Sequence, residues 1–188
     1  MERLFGFVLE KRLRCEDCGV AAKAQCAYSA DCVLHLPSLG PRERTRVWTT
    51  TELYFRRCAA SFVDCDCELC EEKTGHREQE CVLTQPNVLL LHERSVSDVH
   101  RPSRRPVQPE KVLTLPGHDR YELAGVVYHQ GKHARAGHYH CVVLGHDGRW
   151  RRFDGTSARV FRDDVGWSQL RGVSLMVYTR PRGQARFA

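Results

Sequence analysis

Four short runs of aromatic and β-branched residues follow one another between residues 121 and 179, and turns containing glycine separate them. The runs are YELAGVVYH, HYHCVVL, RWRRF and VSLMVYT. Such residues favour β-strands, and strands joined by short turns pair antiparallel with their neighbours. The pattern therefore predicts an antiparallel sheet. With 188 residues, of which 41% are hydrophobic, the chain is long enough to bury the core of one domain.

The first part of the chain contains more varied signals. Residues 32–39 predict a strand that stops at Pro37, and the apolar run at 87–93 predicts a buried strand. Thr49 and Glu52 have the spacing of a capping box, so we expect a helix in the segment VWTTTELYFRRCAASF. Its predicted apolar side consists of Leu53, Phe55, Cys58, Ala59 and Phe62. Residues 3–13 fit a helix or a strand, residues 101–109 predict an exposed loop, and residues 180–188 predict a flexible tail.

Two Cys-x-x-Cys pairs, Cys15/Cys18 and Cys67/Cys70, stand far apart in the chain. A two-residue spacer lets both thiolates of a pair reach one zinc ion at about 2.3 Å, and two pairs complete a tetrahedral site. The N-terminus lacks the pattern of a secretory signal and no apolar run reaches transmembrane length, so we expect a soluble protein of the cytoplasm or nucleus. Thiols are then favoured over disulfides. Cys65 is an alternative ligand to Cys67, and buried thiols without metal are the competing interpretation.

The stretch GHYHCVVLGHDGRWRRFDG, residues 137–155, contains a histidine and an aspartate that could act together in hydrolysis. His138 would take the proton of a nucleophile, and Asp154 would orient the imidazole. A symmetric loop between Gly145 and Gly148 sets His138 opposite Gly155 and turns Asp154 to the other face. A three-residue loop at 145–147, or one bulge, sets Asp154 opposite His138. Ordinary structural roles for both residues remain an alternative.

The region from 121 to 154 resembles the histidine box of the ubiquitin-specific proteases. The shared positions are Tyr121, Leu123, Val126, His129, Gly131, Gly137, His138, Tyr139, Gly148, Trp150, Phe153 and Asp154. The segments LFGFVLEKRLRCEDCG, CELC and QPNVLLLHERSV follow in the family's order, so the resemblance covers about residues 3–179.

The resemblance implies an α+β, papain-like fold with an antiparallel palm sheet, zinc-tipped fingers and a thumb that is largely absent. We expect a partial protease domain at 1–179, with fingers at about 10–85 and palm at about 86–179. Zinc is implied at Cys15, Cys18, Cys67 and Cys70. His138 takes the family's role of general base, and Asp154 its role of orienting residue.

The family's nucleophile lies in a cysteine box on the N-terminal side of every segment matched here, so we expect this chain to lack it. No other cysteine has the properties of a replacement. Cys141 lies three residues after His138 and on the opposite face of the strand, Cys26 lacks the glycine and asparagine neighbours of the box, and Cys58 falls in the predicted helix.

Three functions follow from these features. The first is the C-terminal part of a thiol-dependent deubiquitinase, which hydrolyses (iso)peptide bonds after the C-terminus of ubiquitin and is inactive without the missing box. The second is a pseudoprotease that binds ubiquitin or a ubiquitinated protein. The third is nucleic-acid binding, which the net charge of +6 suggests. It is the weakest of the three because the charge is dispersed along the chain and does not form a patch.

Overall fold

The computed structural model describes residues 2–21, 25–28, 32–37, 46–93, 107–115, 120–133, 136–161, 167, 170 and 172–181. Its helices are α1 (Glu2–Phe5) and α2 (Thr50–Cys58). Its strands are β1 (Val8–Cys15), β2 (Gln25–Tyr28), β3 (Val33–Leu36), β4 (Trp48–Thr49), β5 (Ser61–Cys67), β6 (Glu72–Thr84), β7 (Val88–Glu93), β8 (Val107–Gln108), β9 (Val112–Thr114), β10 (Arg120–His133), β11 (Ala136–Leu144), β12 (Trp150–Asp154), β13 (Ser157–Val160) and β14 (Val173–Thr179). Neither helix has the length and apolar character needed to span a membrane.

A four-stranded antiparallel sheet has the order β2-β1-β6-β5. The hairpin of β5 and β6 places Cys67 opposite Glu72, and β1 places Cys15 opposite His76. Both cysteines therefore lie at the same end of the sheet. Lys11 and Glu78, 2.6 Å apart, form an ion pair across β1 and β6.

A larger sheet has the order β13-β12-β11-β10-β14-β7-β3, with β9 also paired to β10. Its strands are antiparallel except for β3, which pairs parallel to β7. The four strands predicted between residues 121 and 179 are confirmed as β10, β11, β12 and β14, while β13 was not predicted. The described helices and sheets confirm the α+β fold class.

The core lies on the larger sheet and follows the two-residue period of its strands. In β7, Leu89 and Leu91 are buried, and in β14 Met176 and Tyr178 are buried. Full burial of an apolar side chain of this size stabilises a fold by about 1.5–3 kcal/mol. Buried hydroxyls also have partners, since the Tyr178 hydroxyl donates to the Glu110 carbonyl at 2.8 Å. The histidine box thus begins in strands that are anchored by the core.

The capping box of α2 is confirmed. The Thr49 hydroxyl accepts from the Glu52 amide at 3.2 Å, and the Glu52 carboxylate accepts from the Thr49 amide at 2.9 Å. The predicted apolar side was wrong at three positions, because Ala59 is exposed and Phe55 and Phe62 are 48% and 68% exposed. The helix ends at Cys58, so Phe62 belongs to β5 and no longer follows the helical period.

The other predicted segments divide into confirmed and corrected ones. β3 ends at Leu36, before Pro37, as predicted, and β7 matches the predicted buried strand. Residues 3–13 form both a helix and a strand. Of the predicted exposed loop, 101–106 lie outside the described residues, whereas Val107 is 4% exposed and β8 pairs with β4. In the predicted tail, residues 182–188 lie outside the described part of the chain.

Candidate functional site

The hairpin of β11 and β12 positions the predicted histidine and aspartate. The observed pairs run from Leu144 opposite Trp150 to Cys141 opposite Phe153. Residues 145–149 form the connecting loop, which the Gly145 amide closes by donating to the Arg149 carbonyl at 2.9 Å. Both registers considered from the sequence were therefore wrong. In the observed register the next pair after Cys141 and Phe153 is His140 with Asp154.

Burial of two side chains explains why a symmetric loop is not formed. Val142 and Trp150 are 0% and 8% exposed, so both must lie on the face that contacts the core. Directly opposed residues of an antiparallel pair share a face, and a one-residue shift sends one whole strand to the other face. The symmetric register would therefore expose either Val142 or Trp150. Gly148, with φ +75, provides the left-handed residue that the longer loop needs.

Asp154 still contacts His138, but along a diagonal. The Nε2 atom of His138 lies 2.6 Å from Oδ1 of Asp154, and Nδ1 of His140 lies 3.4 Å from Oδ2. His138 and His140 are two residues apart on one strand and thus share a face, with ring centroids 4.7 Å apart. The structure brings both predicted site residues together and adds His140 to them.

The two histidines have different surroundings. The side chain of His138 is 60% exposed and that of Asp154 is 48% exposed, so their contact is open to solvent. His140 is 6% exposed and stacks on Tyr128, with ring centroids 5.2 Å apart. Burial lowers the pKa of His140, which keeps it neutral near pH 7. The hydrogen bond with His138 lowers the pKa of Asp154, so that side chain is a carboxylate at neutral pH.

Glycines next to a buried histidine support the strand that contains His138. The ring of His129 is 5% exposed and packs on Tyr139, with centroids 4.8 Å apart. A Cβ atom on Gly137 would overlap the His129 ring, and one on Gly131 would lie 2.5 Å from the Ala136 carbonyl oxygen. Position 137 therefore needs glycine because the His129 ring occupies the space of a side chain, and position 131 needs it because the Ala136 carbonyl oxygen is nearest to that space.

The arrangement at His138 is suited to proton transfer. Its Nε2 atom is engaged by Asp154, and Nδ1 has no hydrogen-bond partner among the described residues. An imidazole held by a carboxylate at one nitrogen can accept a proton at the other. Within the described part of the chain, no cysteine forms a hydrogen bond with His138. Cys141 lies opposite Phe153 and Val127 and faces away, and Cys58 lies in α2, while the side chain of Cys26 is outside the described residues.

A second cluster consists of four thiols at the end of the four-stranded sheet. The sulfur atoms of Cys15, Cys18, Cys67 and Cys70 all lie within 4.8 Å of one another. Cys15 Sγ is 3.9 Å from Cys70 Sγ, and Cys18 Sγ is 3.7 Å from Cys67 Sγ. A zinc tetrahedron with bonds of about 2.3 Å has sulfur–sulfur edges of about 3.8 Å. The cluster therefore has the dimensions of a metal site, and Cys65 is not a member of it.

The turns of the polypeptide hold the four thiols in place. The Gly19 amide donates to the Cys15 carbonyl at 3.1 Å, and the Glu71 amide donates to the Cys67 carbonyl at 2.8 Å. The Thr74 hydroxyl lies 3.3 Å from Cys15 Sγ, and this hydrogen bond, followed by one from the Cys18 amide, lowers the pKa of Cys15 to about 6. A thiolate is the form that binds metal. Each Cys-x-x-Cys pair thus lies on a tight turn, as the spacing predicted.

Two residues near these clusters were missed from the sequence. His140 could have been found by the two-residue period, which places it on the same face as His138. Arg152, whose Nη2 atom is 3.5 Å from His140 Nδ1, could not, because its position depends on the register.

Comparison with known proteins places the chain in a family. The family model described as "Ubiquitin carboxyl-terminal hydrolase" matches residues 1–170. Ubiquitin carboxyl-terminal hydrolase 23 of Arabidopsis thaliana is 26% identical over 98% of this chain and 22% of its own length. Ubiquitin carboxyl-terminal hydrolase 25 of the same plant is 23% identical over 80% of this chain and 23% of its own length. The chain thus spans less than a quarter of these relatives.

Solved structures show the same fold. The SAGA Ubp8/Sgf11/Sus1/Sgf73 DUB module bound to ubiquitin aldehyde has a chain that matches with a TM-score of 0.79 and 17% identity, over 96% of this chain and 42% of that one. A form of the module bound to monoubiquitin matches with a TM-score of 0.79 and 18% identity, over 96% of this chain and 41% of the other. Since the family model covers most of the sequence, the chain belongs to the ubiquitin carboxyl-terminal hydrolase family, that of the ubiquitin-specific proteases.

Proposed function

We propose that this chain is part of the catalytic domain of a deubiquitinase, in which His138 is the general base and Asp154 orients it. The reaction is thiol-dependent hydrolysis of (iso)peptide bonds after the C-terminus of ubiquitin. The contact of 2.6 Å between His138 Nε2 and Asp154 Oδ1 carries the proposal. Family membership supports the reaction class, and the ubiquitin-bound solved structures support ubiquitin as the partner.

Each residue then has a defined step. Nδ1 of His138 removes the proton of a cysteine thiol, and the thiolate attacks the carbonyl carbon of the scissile bond. The carboxylate of Asp154 holds the ring and stabilises the imidazolium that forms. His138 next returns the proton to the leaving amine. The thioester that remains is hydrolysed by water, which His138 deprotonates in turn.

The thiol in this scheme is not one of the described cysteines, because none of them forms a hydrogen bond with His138. The reaction therefore requires a cysteine box from another polypeptide segment or another chain. We propose that residues 1–188 alone bind ubiquitin without cleaving it. A fingers part at about 10–85 and a palm at about 86–179 would form the binding surface. Although β3 lies within residues 10–85, it pairs with β7 and thus belongs to the larger sheet.

A structural zinc ion at Cys15, Cys18, Cys67 and Cys70 completes the proposal. The sulfur–sulfur distances of 3.7 and 3.9 Å fit a tetrahedral site with four thiolate ligands. Zinc would tie the turn after β1 to the turn after β5. Its role is to stabilise the four-stranded sheet, because a site with four protein ligands has no open position for substrate.

The second candidate function is a non-catalytic module that binds ubiquitin. The observation that favours it is that no described cysteine forms a hydrogen bond with His138. Nucleic-acid binding has weaker support, because the net charge of +6 does not come from one basic run. It would show as steep weakening of binding with salt.

An activity-based probe separates the two ubiquitin-linked candidates. Ubiquitin with an electrophile at its C-terminus is added to the protein purified under native conditions from its own cells, together with whatever it is bound to. A covalent adduct that His138→Ala abolishes supports the deubiquitinase. Absence of an adduct, together with binding of labelled ubiquitin in an NMR titration, supports the binding module. Failure to bind ubiquitin at two salt concentrations contradicts both.

A further inference from the structure

His140 has the chemistry of a metal ligand, and proton transfer by His138 does not use it. One ring nitrogen of His138, one ring nitrogen of His140 and a carboxylate oxygen of Asp154 all lie within 4.8 Å of one another. Two imidazoles and one carboxylate are a common ligand set for divalent transition metals. The cluster is far along the chain from the four cysteines and shares no residue with them.

The distances between the three side chains suit a metal ion that takes the place of the proton shared by His138 and Asp154. Ligand atoms around a metal with bonds of about 2.0–2.1 Å lie about 3.3 Å apart. His140 Nδ1 is 3.4 Å from Asp154 Oδ2, which already has this spacing. His138 Nε2 is 2.6 Å from Asp154 Oδ1, so this contact must lengthen. The His138 side chain is 60% exposed and can move by rotation.

One ligand of the set is held in place before metal arrives. His140 is 6% exposed and stacks on Tyr128 at 5.2 Å between ring centroids, so its Nδ1 atom stays directed at the carboxylate. The exposed His138 and Asp154 leave the other side of the site open to solvent. Water can therefore fill the remaining coordination positions. Binding of an ion would therefore restrict little of the conformational freedom of the protein.

Arg152 is the residue that opposes a cation here. Its Nη2 atom lies 3.5 Å from His140 Nδ1, and its guanidinium carbon lies 5.6 Å from the centre of the Tyr128 ring. A positive charge at this distance repels a divalent ion, and the guanidinium must turn away when metal binds. Arg152 thus sets the affinity of the cluster without being a ligand.

We propose that His138, His140 and Asp154 form a binding site for a divalent transition metal such as zinc or nickel, separate from the cysteine cluster. Metal at this site occupies Nε2 of His138 and the carboxylate that orients it. An imidazole that binds a metal through Nε2 carries its proton on Nδ1, so metal binding stops His138 from accepting a proton there, and this consequence rests on the proposed function. The metal site itself does not.

Nickel titration followed by calorimetry tests the site. The protein is first loaded with one zinc ion per chain, which fills the cysteine cluster, and nickel is then added. Wild type should bind one further equivalent. His140→Phe, which keeps an aromatic ring on Tyr128, and Asp154→Asn should each weaken nickel binding by at least about tenfold. Arg152→Gln should strengthen it several-fold. His146→Ala, at an exposed turn, should have no effect.

Two outcomes would overturn the proposal: wild type that binds no nickel beyond its zinc equivalent, or an affinity that His140→Phe and Asp154→Asn leave unchanged. Thermal unfolding of each variant confirms that it is folded. If His140→Phe does not fold, Asp154→Asn, at an exposed position, provides the test. Inhibition is tested separately by adding nickel to the native protein during probe labelling. Labelling that nickel slows in wild type but not in His140→Phe supports the inhibitory consequence. Absence of labelling without metal contradicts the proposed function and leaves the calorimetric result valid.

Discussion

Asp154 reaches His138 across a diagonal of the β11–β12 pair, two residues away from the position directly opposite it. Side chains at diagonal positions of an antiparallel pair are within reach of each other when they are long enough. The contact depends on the loop at 145–149, because a one-residue change in that loop would turn Asp154 to the other face. The loop is therefore a part of the site although it contains none of its residues.

Replacing Gly148 should destabilise the hairpin through its backbone alone. Gly148 has φ +75 and nothing lies within 4 Å of the place where its Cβ would be. Gly148→Ala should lower the free energy of unfolding by about 1–2 kcal/mol, since left-handed backbone costs a non-glycine residue that much. Gly148→Asn should lower it less, because asparagine tolerates this conformation. Urea unfolding measures both changes, and equal effects would contradict this explanation.

Gly137→Ala should be more disruptive, because its Cβ would overlap the His129 ring and lie 2.7 Å from the Gln130 carbonyl oxygen. We expect a loss of about 1–3 kcal/mol in the free energy of unfolding. Adding His129→Ala should recover part of the loss that the first change causes. The control is Gly75→Ala, whose Cβ would meet nothing within 4 Å and which should change stability by less than about 0.5 kcal/mol.

Cys67→Ser should abolish binding of zinc, which we expect at about one ion per chain in wild type. Three remaining ligands do not close a structural site. Elemental analysis of the purified proteins measures the content. Cys65→Ser is the matched control, because Cys65 lies two residues away and outside the cluster. Removing zinc from wild type with a chelator should reduce amide protection in β1, β5 and β6. A zinc content unchanged by Cys67→Ser would exclude the cluster as the site.

Acid should weaken the N-terminus of α2. The hydrogen bond from the Thr49 amide, followed by the contact with Arg46, lowers the pKa of Glu52. A lowered carboxyl pKa in the folded protein contributes stability above the ordinary pKa of glutamate, and this contribution is lost as pH falls through the folded value. Glu52→Gln should therefore destabilise the protein near pH 7, and its difference from wild type should shrink below about pH 4. A difference that is constant from pH 7 to pH 3 would contradict the role of the charge.

Local patterns predicted much of this fold. Three of the confirmed features depend on residues close in sequence: the capping box at Thr49 and Glu52, the end of β3 before Pro37 and the four strands after residue 121. The patterns missed β13, which pairs with the adjacent β12, and they missed one pairing between distant segments. The parallel pairing of β3 with β7 joins Val33 to Leu90, and no local signal encodes such a pair.

The candidate site also contains features that local sequence predicted and features that it did not. The spacing within each cysteine pair predicted two tight turns, and the pairs meet because β1 and β5 flank β6. The sequence also indicated His138 and Asp154, but not their diagonal contact. Burial of Val142 and Trp150 excludes the symmetric register, and this constraint exists only when the core is present.

The four-stranded sheet is discontinuous in the chain. β1 and β2 come first in the chain, and β5 and β6 come later. Between them lie β3, which pairs in the larger sheet, and α2, where Thr50 contacts Tyr178 of β14. Contacts of such long sequence separation cost more chain entropy to close than local contacts do, and they slow folding. A newly made polypeptide cannot assemble the cysteine cluster until β5 and the turn that carries Cys70 have been made. Excising residues 10–85 would expose the apolar surfaces of β3 and α2, so this sheet is not a transferable module.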